Sequence, residues 1–261
     1  MKNLVKRVLA TGLVFCMGLA YVGCTTSKKL TVTKGKLTMA TNAYFPPYEY
    51  YDGNTIVGID AEIAAAIAKK LDLELEIKDV EFDSIIAGVK GGKYDIGMAG
   101  MTVTDERKKS VNFSNTYATG IQAIIVAEDS EITDIDTLLA GDYKVGVQQG
   151  TTGDIYMSSP VDEGGVGEER VVRFSKGNDA VLALSTGKVD AVVIDNEPAK
   201  SFVAANEGLK ILETPYAIEE YAMCINKNNT ELLEKINKAL EELEADGTIA
   251  AIIEKYIPSE G

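Results

Sequence analysis

The sequence predicts an α/β fold in two similar lobes, each built around a mostly parallel sheet. Three observations point there. Short apolar or alternating stretches take turns with amphipathic ones, the order that crossover helices on a parallel sheet require. The order breaks at "GIQAIIVAE" (120–128) and then begins again. Finally, "DSIIAGVKGGKYDIGMAG" (83–100) is echoed by "DAVLALSTGKVDAVVID" (179–195), each running Asp, helix, Gly-Lys-x-Asp, apolar strand. Any two αβ units can share a glycine at a helix end; the fuller match favours a repeated architecture.

The first 35 residues read as leader and tether. Lys2, Lys6 and Arg7 precede an apolar run from Val8 to Val22, then Gly23-Cys24. This is a signal peptide over 1–23, the run being short for a span of about 20 residues; a retained anchor is the alternative. Gly23-Cys24 resembles a bacterial lipobox, with Tyr21 departing from the usual aliphatic residue. Cys24 is then the lipidated first residue and Cys16 leaves with the leader. Cys224 has no partner left and is expected to be an inert core thiol. Residues 24–35 read as a short polar tether.

In the body of the chain, "KLTMAT" (36–41) is a strand. "IDAEIAAAIAKKL" is a helix with Asp60 as N-cap and Ile63, Ile67 and Leu71 stacked on one face. "LELEI" alternates, so it is a strand with Leu73, Leu75 and Ile77 inward. A helix from Asp83 stops at Gly91-Gly92, and "DIGMAG" is a buried strand. In the second half "DIDTLLAG" is a helix, "YKVGV" a strand, "GTTGDIYMSS" a helix and "RVVRF" a strand. "DAVLALSTG" (helix), "VDAVVID" (strand) and "EPAKSFVAAN" (helix, Pro198 in its first turn) follow. "NTELLEKINKALEELEADG" is a long amphipathic helix with Leu233, Ile236, Leu240 and Leu243 inward, and "TIAAIIEKYI" a last short one. Both are expected to pack on the first lobe.

Composition narrows the chemistry. A formal net charge of -14 argues against nucleic-acid binding. The chain has no histidine, which excludes Ser-His-Asp and Cys-His mechanisms and His-containing zinc sites within it. No cofactor or metal is expected.

Ligands of open α/β sheets bind beyond the carboxyl ends of the strands. Four segments lie there: "TNAYFPPYEY", "GMTVTDER", "QQGTTGD" and "IDNE". Arg107 stands oddly in the first turn of a helix capped by Thr104 or Asp105, where cations are disfavoured. It is a planar paired donor suited to a carboxylate; a surface pair with Asp105 is the alternative. Thr102 offers a hydroxyl and an amide beside it. "QQGTTGD" leads into a helix N-terminus, where amides can converge on an anion, though an ordinary glycine turn is the commoner explanation. Asp195 is a counter-charge for an ammonium, or a helix cap. Phe45 and Phe82 are walls for a ligand side chain, or core plugs. Arg107 and Asp195, one from each lobe, suit a zwitterion.

These stretches resemble the extracellular solute-binding proteins of family 3, the polar amino-acid receptors of bacterial ABC importers. The likeness spans about residues 36–258. It is carried by "PPYEYYDGNTIVGIDAEIAAAIAKKL", "FDSIIAGVKGGKYDIGMAGMTVTDERKKSVNFSNTY", "VGVQQGTTGDIY" and "GKVDAVVIDNEP". It implies the type II periplasmic-binding-protein fold: lobe 1 from 36–118 and 220–261, lobe 2 from 119–219, and two crossing hinge strands near Tyr117–Ile121 and Ala217–Tyr221. It implies Arg107, Thr102 and the Thr152 amide on a ligand carboxylate. Asp195, the Gly100 carbonyl and the Thr102 hydroxyl take the ammonium, Phe45 and Phe82 the side chain. Asn42 and Gln148 match positions that read side-chain identity. Several relatives of cationic or amide specificity carry aspartate at Asn42, so a polar uncharged amino acid is favoured, though Glu49 offers a charge.

The resemblance implies a monomer, held at the cell membrane by Cys24, that passes a free amino acid to an ABC permease. Two rivals stand. The same fold hosts dehydratase-like enzymes, for which Glu49 or Glu197 would be the acid or base. A sensory receptor is the other, disfavoured because no kinase or transmembrane helix is expected after Gly261.

Overall fold

The computed structural model describes residues 29–212 and 217–258. The signal peptide, Cys16 and Cys24 lie outside the described residues.

Two sheets form two lobes. The first has the strand order Glu74–Asp79, Lys36–Thr41, Ile96–Gly97, Cys224–Asn226, Val111–Phe113. Its first three strands are parallel, the last two antiparallel to their neighbours. The second sheet runs Val171–Phe174, Val145–Gln148, Ala191–Asp195, Ala118–Ala127, Leu209–Ile211. There too a parallel core gains antiparallel partners on one side. The expected parallel sheets are therefore mixed. Ala118–Ala127 and Ile218–Tyr221 are the segments that cross between lobes, paired antiparallel with Ala118 opposite Tyr221.

The repeated αβ units do equivalent work. Helix Phe82–Lys90 feeds strand Ile96–Gly97 in one lobe, and helix Gly177–Ser185 feeds Ala191–Asp195 in the other. Helices Thr230–Ala245 and Thr248–Tyr256 pack on helix Ile59–Lys70 of the first lobe. The long helix buries Leu232, Ile236, Leu240 and Leu243; Leu233, expected inward, is only half-buried.

Tyr44–Phe45, Glu49–Asp52 and Thr55–Val57, to which the sequence reading gave no element, form a small antiparallel sheet. One local expectation changes. Asp60 is not an N-cap. Gly58 holds that place with φ 122, where a Cβ would lie 2.3 Å from the Tyr48 carbonyl oxygen. Asp60 is instead inside the helix and fully buried, accepting from the Gly100 amide at 2.9 Å and the Tyr117 hydroxyl at 2.8 Å.

Candidate functional site

The nine residues expected from the sequence line one cleft between the lobes. Asn42 follows strand Lys36–Thr41, and Gly100 and Thr102 follow Ile96–Gly97. Gln148 and Asp195 end their strands, and Thr152 opens helix Thr152–Ser158. All stand at carboxyl ends of strands or just beyond them.

Arg107 is buried, and Asp105 does not pair with it: Asp105 is exposed and meets Lys108 at 3.5 Å. Thr104 caps the helix and accepts the Arg107 amide at 3.2 Å. The guanidinium turns away from its own helix end and donates to the Thr102 carbonyl at 2.7 Å and the Gly150 carbonyl at 3.0 Å. It also lies over the Phe82 ring, 5.4 Å from the centroid. The disfavoured cation is thereby held by carbonyl dipoles and an aromatic face. Burial lowers its pKa from the ordinary value, opposed first by the charge of Glu219.

The Gly150 turn is itself braced. The Asp154 carboxylate accepts the Gly150 amide at 2.9 Å and is gripped by Arg173 Nε at 2.9 and 3.0 Å. Gly150 has φ 77, which a glycine adopts without strain. Gly100, with φ 52, leaves space that a Cβ would fill at 2.7 Å from the Phe45 ring.

Asn42 and Gln148 meet each other across the cleft. Gln148 Nε2 donates to Asn42 Oδ1 at 2.9 Å, while Asn42 Nδ2 donates to the Val80 carbonyl at 2.8 Å. Two further contacts join the lobes at the rim: Gln149 Nε2 donates to Asp83 Oδ2 at 2.7 Å, and Lys176 Nζ lies 3.6 Å from the Tyr44 ring centroid.

Asp195 precedes helix Asn196–Ala205 but makes no side-chain cap bond. It is buried and accepts the Tyr221 hydroxyl. Burial first, and the nearby Glu219 charge second, push its pKa up to about 7.

Sequence reasoning offered Glu49 as a possible charge, took Asp60 for a helix cap and missed Glu219 altogether. Glu49, Asp60 and Glu219 are as buried as Asp195, and among the described residues Arg107 is the only buried cation. Glu49 Oε2 and Asp60 Oδ1 are buried without a hydrogen-bond partner among the described residues, and the two carboxyl groups stand close enough to act on each other. Burial and the Asp60 charge raise Glu49 well above the carboxylate range, and burial brings Asp60 to about 6. Glu219 accepts the Thr102 hydroxyl at 2.9 Å and Gln122 Nε2 at 3.1 Å. No local signal marks it: in Ile218–Tyr221 the acid Glu219 points inward while Ile218 is 80% exposed, against the usual pattern.

Comparison with known proteins completes the description. The sequence profile of the bacterial extracellular solute-binding proteins, family 3, matches residues 37–259. The chain is 34% identical over 258 residues to the arginine-binding extracellular protein ArtP of Bacillus subtilis (strain 168), covering 98% of this chain and 99% of that one. An ancestral arginine-binding protein bound to arginine superposes with a TM-score of 0.79 at 42% identity, covering 86% of this chain and 99% of that one. An ancestral arginine-binding protein bound to glutamine gives a TM-score of 0.78 at 42% identity, with the same shares covered. The cleft, the crossing strands and these likenesses agree: the chain belongs to the bacterial extracellular solute-binding proteins of family 3.

Proposed function

We propose that the protein is the extracytoplasmic receptor of an ABC importer and captures a cationic amino acid, arginine foremost, between its lobes. One observation carries the choice of cation. The buried carboxyl groups Glu49 and Asp195 line the cleft, Asp60 and Glu219 are bonded to its lining residues Gly100 and Thr102, and among the described residues the one buried cation is Arg107. A neutral zwitterion adds no net charge to that balance, whereas a cationic side chain offsets part of it. Neutral Asn42 and Gln148 favour an uncharged side chain on sequence grounds, but both polar atoms of the Asn42 amide and the Gln148 Nε2 are already engaged with each other and with backbone.

In this reading Arg107, with the Thr102 and Thr152 amides, takes the ligand carboxylate. Asp195, the Gly100 carbonyl and the Thr102 hydroxyl take the α-ammonium. Phe45 and Phe82 flank the side chain, and Glu49 meets its charged end. The reaction is capture without chemistry, and release to the permease follows lobe opening. Cys24, acylated after loss of residues 1–23, holds the monomeric receptor at the outer face of the membrane.

Arginine and its uncharged isostere citrulline form the test. Calorimetry is expected to favour arginine, and Glu49→Gln is expected to shrink that preference roughly 100-fold, the scale of an unpaired buried charge. Equal affinities in the unaltered protein overturn the cationic assignment.

A further inference from the structure

Glu219 sits where three segments converge. It lies on crossing strand Ile218–Tyr221 and is 3% exposed. It accepts from Gln122, which lies on the other crossing strand directly opposite Asp195. It also accepts from Thr102, which follows the strand that supports Gly100. The backbones around these residues are locked together. The Val103 amide donates to the Glu220 carbonyl at 2.9 Å, and the Ala222 amide to the Met101 carbonyl at 3.1 Å. Thr102 is thus fixed at two points, its carbonyl by Arg107 and its hydroxyl by Glu219.

The donor and acceptor inventory gives this arrangement a consequence. A threonine hydroxyl has one proton to donate and two lone pairs. A carboxylate only accepts. Once the Thr102 proton points at Glu219 Oε2, the hydroxyl presents only lone pairs to the cleft. Such a group suits an ammonium, which only donates, and is unfavourable to a second carboxylate. Gln122 Nε2, shared between Glu219 and the Thr152 hydroxyl at 3.5 Å, keeps Glu219 in place.

We propose that Glu219 is a positioning residue that, by accepting the Thr102 proton, makes Thr102 an acceptor-only wall and so restricts the cleft to ligands carrying an α-ammonium. This rests on the amino-acid reading above and names the origin of one part of its selectivity.

The test compares arginine with the guanidino acid that lacks its α-amino group, by calorimetry on the mature soluble chain. Glu219→Leu removes the acceptor at similar volume. It is expected to weaken arginine roughly 10- to 100-fold and the desamino acid by no more than about threefold. Glu219→Gln keeps a carbonyl for both donors and is expected to restore most of the arginine affinity. Thr102→Val, which lacks the hydroxyl, should reproduce the split and add nothing to Glu219→Leu. It serves with Glu219→Gln should the leucine variant fail to fold. Equal losses for both ligands, additive losses in the double variant, or Glu219→Gln falling as far as Glu219→Leu each overturn the proposal. Failure of the unaltered protein to bind arginine or glutamine overturns the amino-acid reading along with it.

Discussion

Arg107 and Asp195 show how a single side chain can be read from its sequence position and still owe its chemistry to distant neighbours. Asp195 ends its strand, and Arg107 lies in the short helix Asp105–Ser110 beyond strand Ile96–Gly97, the side of the sheet where a ligand group is expected. What surrounds them comes from elsewhere: Gly150 for Arg107, and Tyr221 and Glu219 for Asp195. The raised pKa of Asp195 gives a pH prediction. A carboxyl group raised from 3.8 to about 7 contributes stability that is full below the unfolded value and is lost as pH rises through the folded one. Asp60, at about 6, adds to the lower part of that range. An ammonium placed beside Asp195 opposes both causes of its shift. Arginine affinity is therefore expected to rise between about pH 5 and 8, by at most about tenfold per pH unit for each proton released. Asp195→Asn should flatten that slope, which calorimetry at several pH values measures.

At the scale of elements, most helices and strands follow their own periodicity and punctuation. Gly91 caps helix Phe82–Lys90, Asp134 caps helix Ile135–Ala140, and Gly247 follows the long helix. The exceptions are the elements built by contact. The small sheet around Glu49–Asp52 leaves no mark in the sequence because its strands are two to four residues long, too short for a period to register. The residues expected as a tether provide another case. Thr31 is buried, the Val32 amide donates to Asp95 Oδ1 at 2.6 Å, and Asn229 Nδ2 donates to the Leu30 carbonyl at 2.9 Å. Asp95 also accepts the Thr38 amide at 2.8 Å, so the lead is tied to the first strand. A chain starting at residue 36 is expected to be less stable than one starting at residue 25 by about 1–3 kcal/mol, the scale of two such bonds, seen as a melting temperature several degrees lower.

For the whole molecule, the relevant equilibrium is lobe closure. Lys176 on Tyr44 and Gln149 on Asp83 join the lobes at the rim. Contacts of this kind favour the closed arrangement whichever ligand is bound, so their loss changes affinity without changing selectivity. The variant Lys176→Ala with Gln149→Ala should weaken arginine and lysine alike, by roughly 5- to 20-fold, as titration of each ligand would report. The sequence by itself determined the alternating αβ plan, its repetition in two lobes, and the segments beyond the strand ends that carry Arg107 and Asp195. Hydrophobic period, glycine stops and chain order are local properties, and each acts over a few residues. Only the tertiary structure decided the electrostatics of the cleft. Asp60 is buried because Gly100 and Tyr117 supply donors from 40 and 57 residues away, and Glu219 because Thr102 does so from 117 away. An acid read alone belongs in water; Asp60 and Glu219 enter the core where donors from other segments replace part of the water they give up.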